Sequence, residues 1–224
     1  YVFSFENPEA KLMIKGYVPI KGKFQFIGNY KNIYSKKEFI DKDVVRHDKN
    51  LLTGCVTFLD VNFQDVSISS DKLRCEDAVN ILNSKGRIDK IEISNSLYDG
   101  LDIDFSEISI NQMNINNSGN DCADFSFGKY TILKSNLSGC KDKAFSFGEH
   151  SKALVNDTII SNSLMGIVSK DNSIVEVKNG KGLQIKKYCL AAYNKKPEFE
   201  GAIIVNKGFK CDNENFYDQK SFIR

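Results

Sequence analysis

The chain has 224 residues, 41% of them hydrophobic, and its 31 lysines and arginines stand against 29 acidic residues. So even a balance lacks the basic excess that tracks a nucleic-acid backbone, and a nucleic-acid partner is disfavoured. No run approaches the roughly 18 apolar residues of a membrane span, and the length is enough to bury a sizeable core.

Residues 1 to about 50 read as N-terminal coils and a cap. Short strands are predicted at Tyr1 to Phe5, Leu12 to Ile14 and Phe24 to Ile27, with Asn7-Pro8, Lys21-Gly22 and Gly28-Asn29 as punctuation. Tyr34 to Asn50 is charged and without period, which predicts a loop or a poorly formed helix. From Val56 the spacing is two: Val56 to Phe63 and Val66 to Ile68 alternate apolar with polar.

The segment Cys75 to Asp171 then repeats itself. Asp77, Asp99, Asp121 and Asp142 lead short alternating runs and lie 22, 22 and 21 residues apart. A period of that size without helical spacing predicts a solenoid of parallel strands. Polar turns recur with it, and Asn95 and Asn117 each precede the leading aspartate by four residues. They are expected one above the other at a corner, since asparagine tolerates left-handed backbone angles and its amide bonds to its neighbour. The pattern loosens beyond Asp171 but continues to Val205, and 206–224 reads as a polar C-terminal cap. The expectation is one all-β domain over 1–224, with regular coils at 54–205: a single-stranded right-handed parallel β-helix of about nine coils and roughly 40 Å.

Six cysteines at 55, 75, 122, 140, 189 and 211 show no close zinc-type pairing. Cys122 and Cys140 read as buried thiols, while Cys189 and Cys211, 22 residues apart, are placed for contact by stacking. His47 and His150 are the two histidines, and neither completes a nucleophilic triad.

Alternation carries the functional expectation. With Leu101, Ile103 and Phe105 inward, Gly100, Asp102 and Asp104 face out; with Ala123, Phe125 and Phe127 inward, Asp124 and Ser126 face out. Stacking Ile103, Phe125 and Phe145 gathers Asp99, Asp102, Asp104, Asp121 and Asp124 on two coils, where like charges repel and raise carboxyl pKa values. Three roles compete for this patch. The leading aspartates can serve the solenoid by bonding backbone amides at every coil. The patch can bind or process a polysaccharide, with Asp102, Asp124 and Asp121 as catalytic carboxyls and Asp99, Asp104, Lys143, Lys170 and Tyr98 as substrate contacts, helped by Tyr130 and Tyr193 as sugar platforms. It can also hold Ca²⁺ as a cofactor.

Two resemblances bear on these roles. The runs Glu76 to Ile81, Asp99 to Phe105, Gly119 to Asp121, Asp142 to Glu149, Gly166 to Asp171 and Ala191 to Phe199 resemble the right-handed parallel β-helix module of bacterial CotH-type surface proteins. Asp99, Asn120-Asp121-Cys122 and Lys141-Asp142-Lys143 are more distantly similar to the acidic motifs of polygalacturonase-type glycoside hydrolases on the pectin-lyase-like solenoid. The second family's Gly-His-Gly histidine is missing and Val168-Ser169-Lys170 stands in place of its Arg-Ile-Lys, which weighs against hydrolysis by that family's mechanism. The resemblances imply an extracytoplasmic or cell-surface module that binds, and in one version modifies, a polysaccharide as lyase, epimerase or glycoside hydrolase. The alternative is a non-enzymatic scaffold with a protein partner, within a larger surface protein.

Overall fold

The computed structural model describes residues 1–8, 10–29 and 47–224, so most of the segment predicted as a loop or weak helix, 34–46, lies outside the described residues. Twenty strands follow in chain order: β1 (Val2–Phe5), β2 (Leu12–Lys15), β3 (Pro19–Gly28), β4 (Gly54–Leu59), β5 (Asn62–Asp71), β6 (Asp77–Leu82), β7 (Lys85–Ser96), β8 (Asp99–Asp104), β9 (Glu107–Ser118), β10 (Ala123–Ser126), β11 (Lys129–Ile132), β12 (Ser135–Ser138), β13 (Lys143–Gly148), β14 (Lys152–Ser161), β15 (Met165–Lys170), β16 (Ile174–Leu183), β17 (Tyr188–Tyr193), β18 (Ile203–Cys211), β19 (Phe216–Tyr217) and β20 (Phe222–Ile223). No helix occurs among the described residues.

The chain alternates between two sheets. A nine-stranded short sheet runs β2-β4-β6-β8-β10-β13-β15-β17-β19, and an eleven-stranded long sheet runs β1-β3-β5-β7-β9-β11-β14-β16-β18-β20, with β12 beside β9 and β14. Adjacent strands such as β8 and β10 are parallel and come from successive coils, so the chain is a parallel β-solenoid with one turn per short strand. Its interior follows from the register. Val79, Leu101, Ala123, Phe145 and Ile167 form one inward row of the short sheet, and Ile81, Ile103, Phe125, Phe147 and Ser169 form the next. All are fully or almost fully buried, opposite Ile91, Met113, Ile93, Ile115 and Leu137 of the long sheet. Burying each large apolar side chain contributes about 1.5–3 kcal/mol.

Two expectations about register and facing are corrected. Phe147, not Phe145, is the register neighbour of Phe125, with rings 4.9 Å apart and 14° from parallel against 6.3 Å and 30° for Phe145. The backbone keeps a 22-residue step here although the leading aspartates step by 21, so Lys143 rather than Asp142 lies over Asp121, and Ser146 rather than Ala144 lies beside Asp124. Phe105 and Phe127 do not point inward: they are 55% and 39% exposed. Strand alternation stops at the corner after each short strand, where a positive φ recurs: Asp60 (57°), Asn83 (48°), Phe105 (50°), Phe127 (51°), Glu149 (43°) and Asp171 (52°), the last two followed by His150 (60°) and Asn172 (65°). At Phe105 and Phe127 that turn rotates the side chain to the outside, whereas Glu149 and Asp171 at the same place are buried.

At the opposite corner the asparagine ladder forms as expected. Asn95 and Asn117 both have positive φ, the Asn117 amide donates to Asn95 Oδ1 at 3.3 Å, and Asn95 donates to Asp71 at 2.7 Å. Three disulfides, Cys55–Cys75, Cys122–Cys140 and Cys189–Cys211, each close one coil on itself. Cys122 and Cys140 are therefore bonded rather than free thiols. Their separation of 18 residues, short of a full period, puts one at the entry and one at the exit of the same coil, with Cα atoms 5.3 Å apart. Three such bonds fit an oxidising, extracytoplasmic setting.

Candidate functional site: the outer face of the short sheet

The predicted site residues fall on three neighbouring rows of the short sheet's outer side. Asp77, Asp99, Asp121 and Lys143 form the first, at the strand entries. Asp99 Oδ1 accepts the Asp121 backbone amide at 2.7 Å and the Asn120 side-chain amide at 2.8 Å. Asp121 repeats this with the Lys143 backbone amide at 2.9 Å, and the Lys143 ammonium lies 3.3 Å from the same oxygen and also pairs with Asp142. Asp121 is 3% exposed and Lys143 8%, so this row belongs to the construction of the coils.

The second row reads Thr57, Asn80, Asp102, Asp124, Ser146, Val168 and Ala191. Asp102 and Asp124 are register neighbours and half-buried. Asn80 donates to Asp102 Oδ2 at 3.3 Å, and Asp124 Oδ1 accepts the Phe125 amide at 2.9 Å. The Ser146 hydroxyl, fully buried beside Asp124, has no hydrogen-bond partner among the described residues. The third row carries Leu82, Asp104 and Ser126, with Lys170 two coils beyond Ser126. Gly148, without a side chain, leaves the lane across which Lys170 reaches back, and its ammonium stops 3.9 Å from Asp124 Oδ2 while the residue is only 4% exposed. Glu149 closes the row, accepting the Ser126 hydroxyl at 2.6 Å and pairing with Lys196.

Desolvation and mutual repulsion set the protonation of this face. Burial, then the charges of Asp121 and Asp77, push Asp99 up to about 8. Burial pushes Asp77 to about 7, with Glu76 and Asp104 adding to it. Asp104 rises to about 6 through burial and the neighbouring Asp124 and Glu149, and Asp121 to about 6 through burial, held back by Lys143. Asp102 lies well above the usual carboxyl range because it is desolvated among Asp77, Asp104 and Asp124. Burial is the largest influence on Lys170 and opposes its charge, but Asp124, Asp121 and Tyr193 together raise its pKa. The face thus sets a carboxyl whose proton affinity is raised, Asp102, against a carboxyl beside a cation, Asp124.

The tyrosines divide. Tyr130 is a core residue rather than a platform: it is buried, and its hydroxyl donates to the carbonyls of Ser126 and Ile103 at 2.7 and 3.0 Å. Tyr193 is half-buried against Phe216, with ring centroids 6.2 Å apart, at the end of the sheet beyond Lys170. Tyr98 stands half-buried in the turn before Asp99. Among the described residues no three His, Cys, Asp or Glu side chains are grouped so as to hold a metal ion, and no helix is long and apolar enough to cross a membrane. Alternation placed Phe105 and Phe127 in the interior and so missed them as surface residues; the signal available was their position directly after each outward-facing strand, where Asp60 and Asn83 mark a corner.

Comparison with known proteins yields no matching family model, no matching curated protein and no matching solved structure. The two resemblances therefore extend to the solenoid architecture and not to an identity.

Proposed function

We propose that the outer face of the short sheet binds a carbohydrate chain and that Asp102 and Asp124 act on its glycosidic bond. The observation that carries this reading is the in-register pair itself: two carboxyls on adjacent coils, one held among other carboxyls that raise its proton affinity, the other facing the Lys170 ammonium at 3.9 Å. Adjacent parallel strands lie about 4.8 Å apart, near the ~5 Å carboxyl separation used by glycosidases that retain configuration. Asp102 donates its proton to the departing glycosidic oxygen while Asp124 bonds the anomeric carbon as a glycosyl ester; water then displaces Asp124, giving its proton back to Asp102. Asp121 and Lys143 fix the strand entries beside the pair, Asp104 and Asp99 raise the proton affinity of Asp102, and Tyr98 borders the entry. Such a module belongs at a cell surface or outside the cell, in keeping with its disulfides.

A second reading is favoured by one observation, the repeated use of Asp99 and Asp121 as acceptors for backbone amides. On it the face serves the scaffold, and function rests with protein partners. The two are separated by screening neutral and acidic polysaccharides for binding and product, with and without Ca²⁺, using the natural chain, Asp102→Asn and Asp124→Asn. Loss of product with an unchanged melting temperature supports the carbohydrate reading. Variants that melt early, or a natural chain that binds no glycan, support the scaffold.

A further inference from the structure

Three of the six residues at the corner after the short strands are aspartate or asparagine, whose side chains tolerate a left-handed backbone. Asp60, Asn83 and Asp171 obey this. Phe105 and Phe127 do not, and each is unfavourable twice: a bulky side chain at positive φ, and a phenyl ring in solvent. Nothing in the coil's own construction calls for them, since Asn83 occupies the equivalent place one coil earlier.

What they do is stack. Their rings lie 4.8 Å apart and 6° from parallel, and Phe199 closes the far side of Phe127 edge-on at 6.2 Å. The remaining face of Phe105 looks toward the coil of Asn83. There a groove of about 740 Å³ runs along the corner, lined by Tyr17, Asp60, Asn83, Lys85, Phe105 and Lys129, and reaching Lys152. Its floor on the long-sheet side carries Lys85, Glu107, Lys129 and Lys152 on four successive coils. Glu107 is engaged by Lys129 at 3.8 Å, and Asp60 by Lys15 and Asn83 at 3.5 and 2.7 Å. Lys85 and Lys152 are exposed and carry the uncompensated charge of the groove.

We propose that this corner groove is a second carbohydrate site, specific for an anionic glycan. The negative face of Phe105 attracts the positively polarised C–H face of a pyranose ring, which takes the place of a third layer in the phenylalanine stack. Lys85, two residues beyond Asn83, pairs with that sugar's carboxylate or sulfate, and Lys152 with the charge of a sugar that follows. The groove rests on the carbohydrate reading of the module for its ligand class. It shares no residue with the Asp102 and Asp124 pair.

The test uses the whole chain and three probes of equal length: a hyaluronan hexasaccharide for carboxylates, a chondroitin sulfate hexasaccharide for carboxylates with sulfates, and neutral chitohexaose. Titration calorimetry is expected to show at least one anionic probe binding more tightly than chitohexaose. Phe105→Asn, which installs the residue the preceding coil already carries there, weakens that binding about tenfold without lowering the melting temperature, and Lys85→Gln weakens it about threefold and reduces its salt dependence. Asp102→Asn and Asp124→Asn leave it unchanged, so failure of the acidic pair and failure of the corner groove read out separately. Equal binding by Phe105→Asn and the natural chain, preference for chitohexaose, no binding of either anionic probe, or binding of a single-stranded oligonucleotide in their place would each overturn the proposal.

Discussion

The row of buried carboxyls makes the solenoid an acid-stable protein, and Asp99 is the place to measure it. Its folded-state pKa of about 8 stands roughly four units above the ordinary aspartate value of ~3.9. Between those two values the folded chain holds a proton that the unfolded chain has released. Stability therefore falls as pH rises from about 4 to about 8, the reverse of an ion-paired aspartate. At about 1.4 kcal/mol per unit the isolated effect would reach ~5 to 6 kcal/mol. Asp77, Asp104 and Asp121 share the same field, so ionising or removing one eases the others, and a difference of about 2 kcal/mol is expected for Asp99 alone. Asp99→Asn preserves the acceptor oxygen that holds the Asp121 amide at 2.7 Å and the Asn120 amide at 2.8 Å, while removing the charge. Urea unfolding at pH 4.5, 6 and 8 should show the variant matching the natural chain in acid and exceeding it by about 2 kcal/mol at pH 8. Parallel pH profiles for the two proteins, or a natural chain most stable at pH 8, would refute the reasoning.

Three further outcomes test the construction. Replacing Cys122 and Cys140 together by alanine opens an 18-residue loop and should cost about 3 kcal/mol in thermal unfolding; an unchanged melt would mean the bond adds nothing to that coil. A Cβ on Gly119 would sit 1.7 Å from the Leu97 carbonyl oxygen, so Gly119→Ala should destabilise by more than about 3 kcal/mol, and a melting temperature within a few degrees of the natural chain would contradict the close approach of these coils. Phe125→Ala, emptying a fully buried position against Phe147 and Tyr130, should cost about 3–5 kcal/mol. Phe127→Asn should shift stability by less than ~1 kcal/mol, since relief of a left-handed backbone offsets the lost stacking; equal losses at 125 and 127 would place both rings in the interior.

What the sequence by itself determined is what a repeat and a two-residue alternation can encode. Leu101, Ile103, Ala123 and Phe125 face the core and Asp102 and Asp124 face out because successive side chains of a strand must point to opposite sides. Asn95 and Asn117 stack because their spacing equals one coil. The tertiary structure decided everything that depends on which coil lies above which and on where a strand bends. The register kept its 22-residue step through the displaced Asp142, so Phe147 and Ser146 came to lie beside Phe125 and Asp124. Cys122 met Cys140 because entry and exit of one coil converge in space. Lys170 reached Asp124 across the bare backbone of Gly148, and Phe105 and Phe127 swung outward at a left-handed corner that alternation does not foresee. The carboxyl pKa values followed from these placements, because desolvation and repulsion act between neighbours in space, which a solenoid takes from residues 22 positions apart.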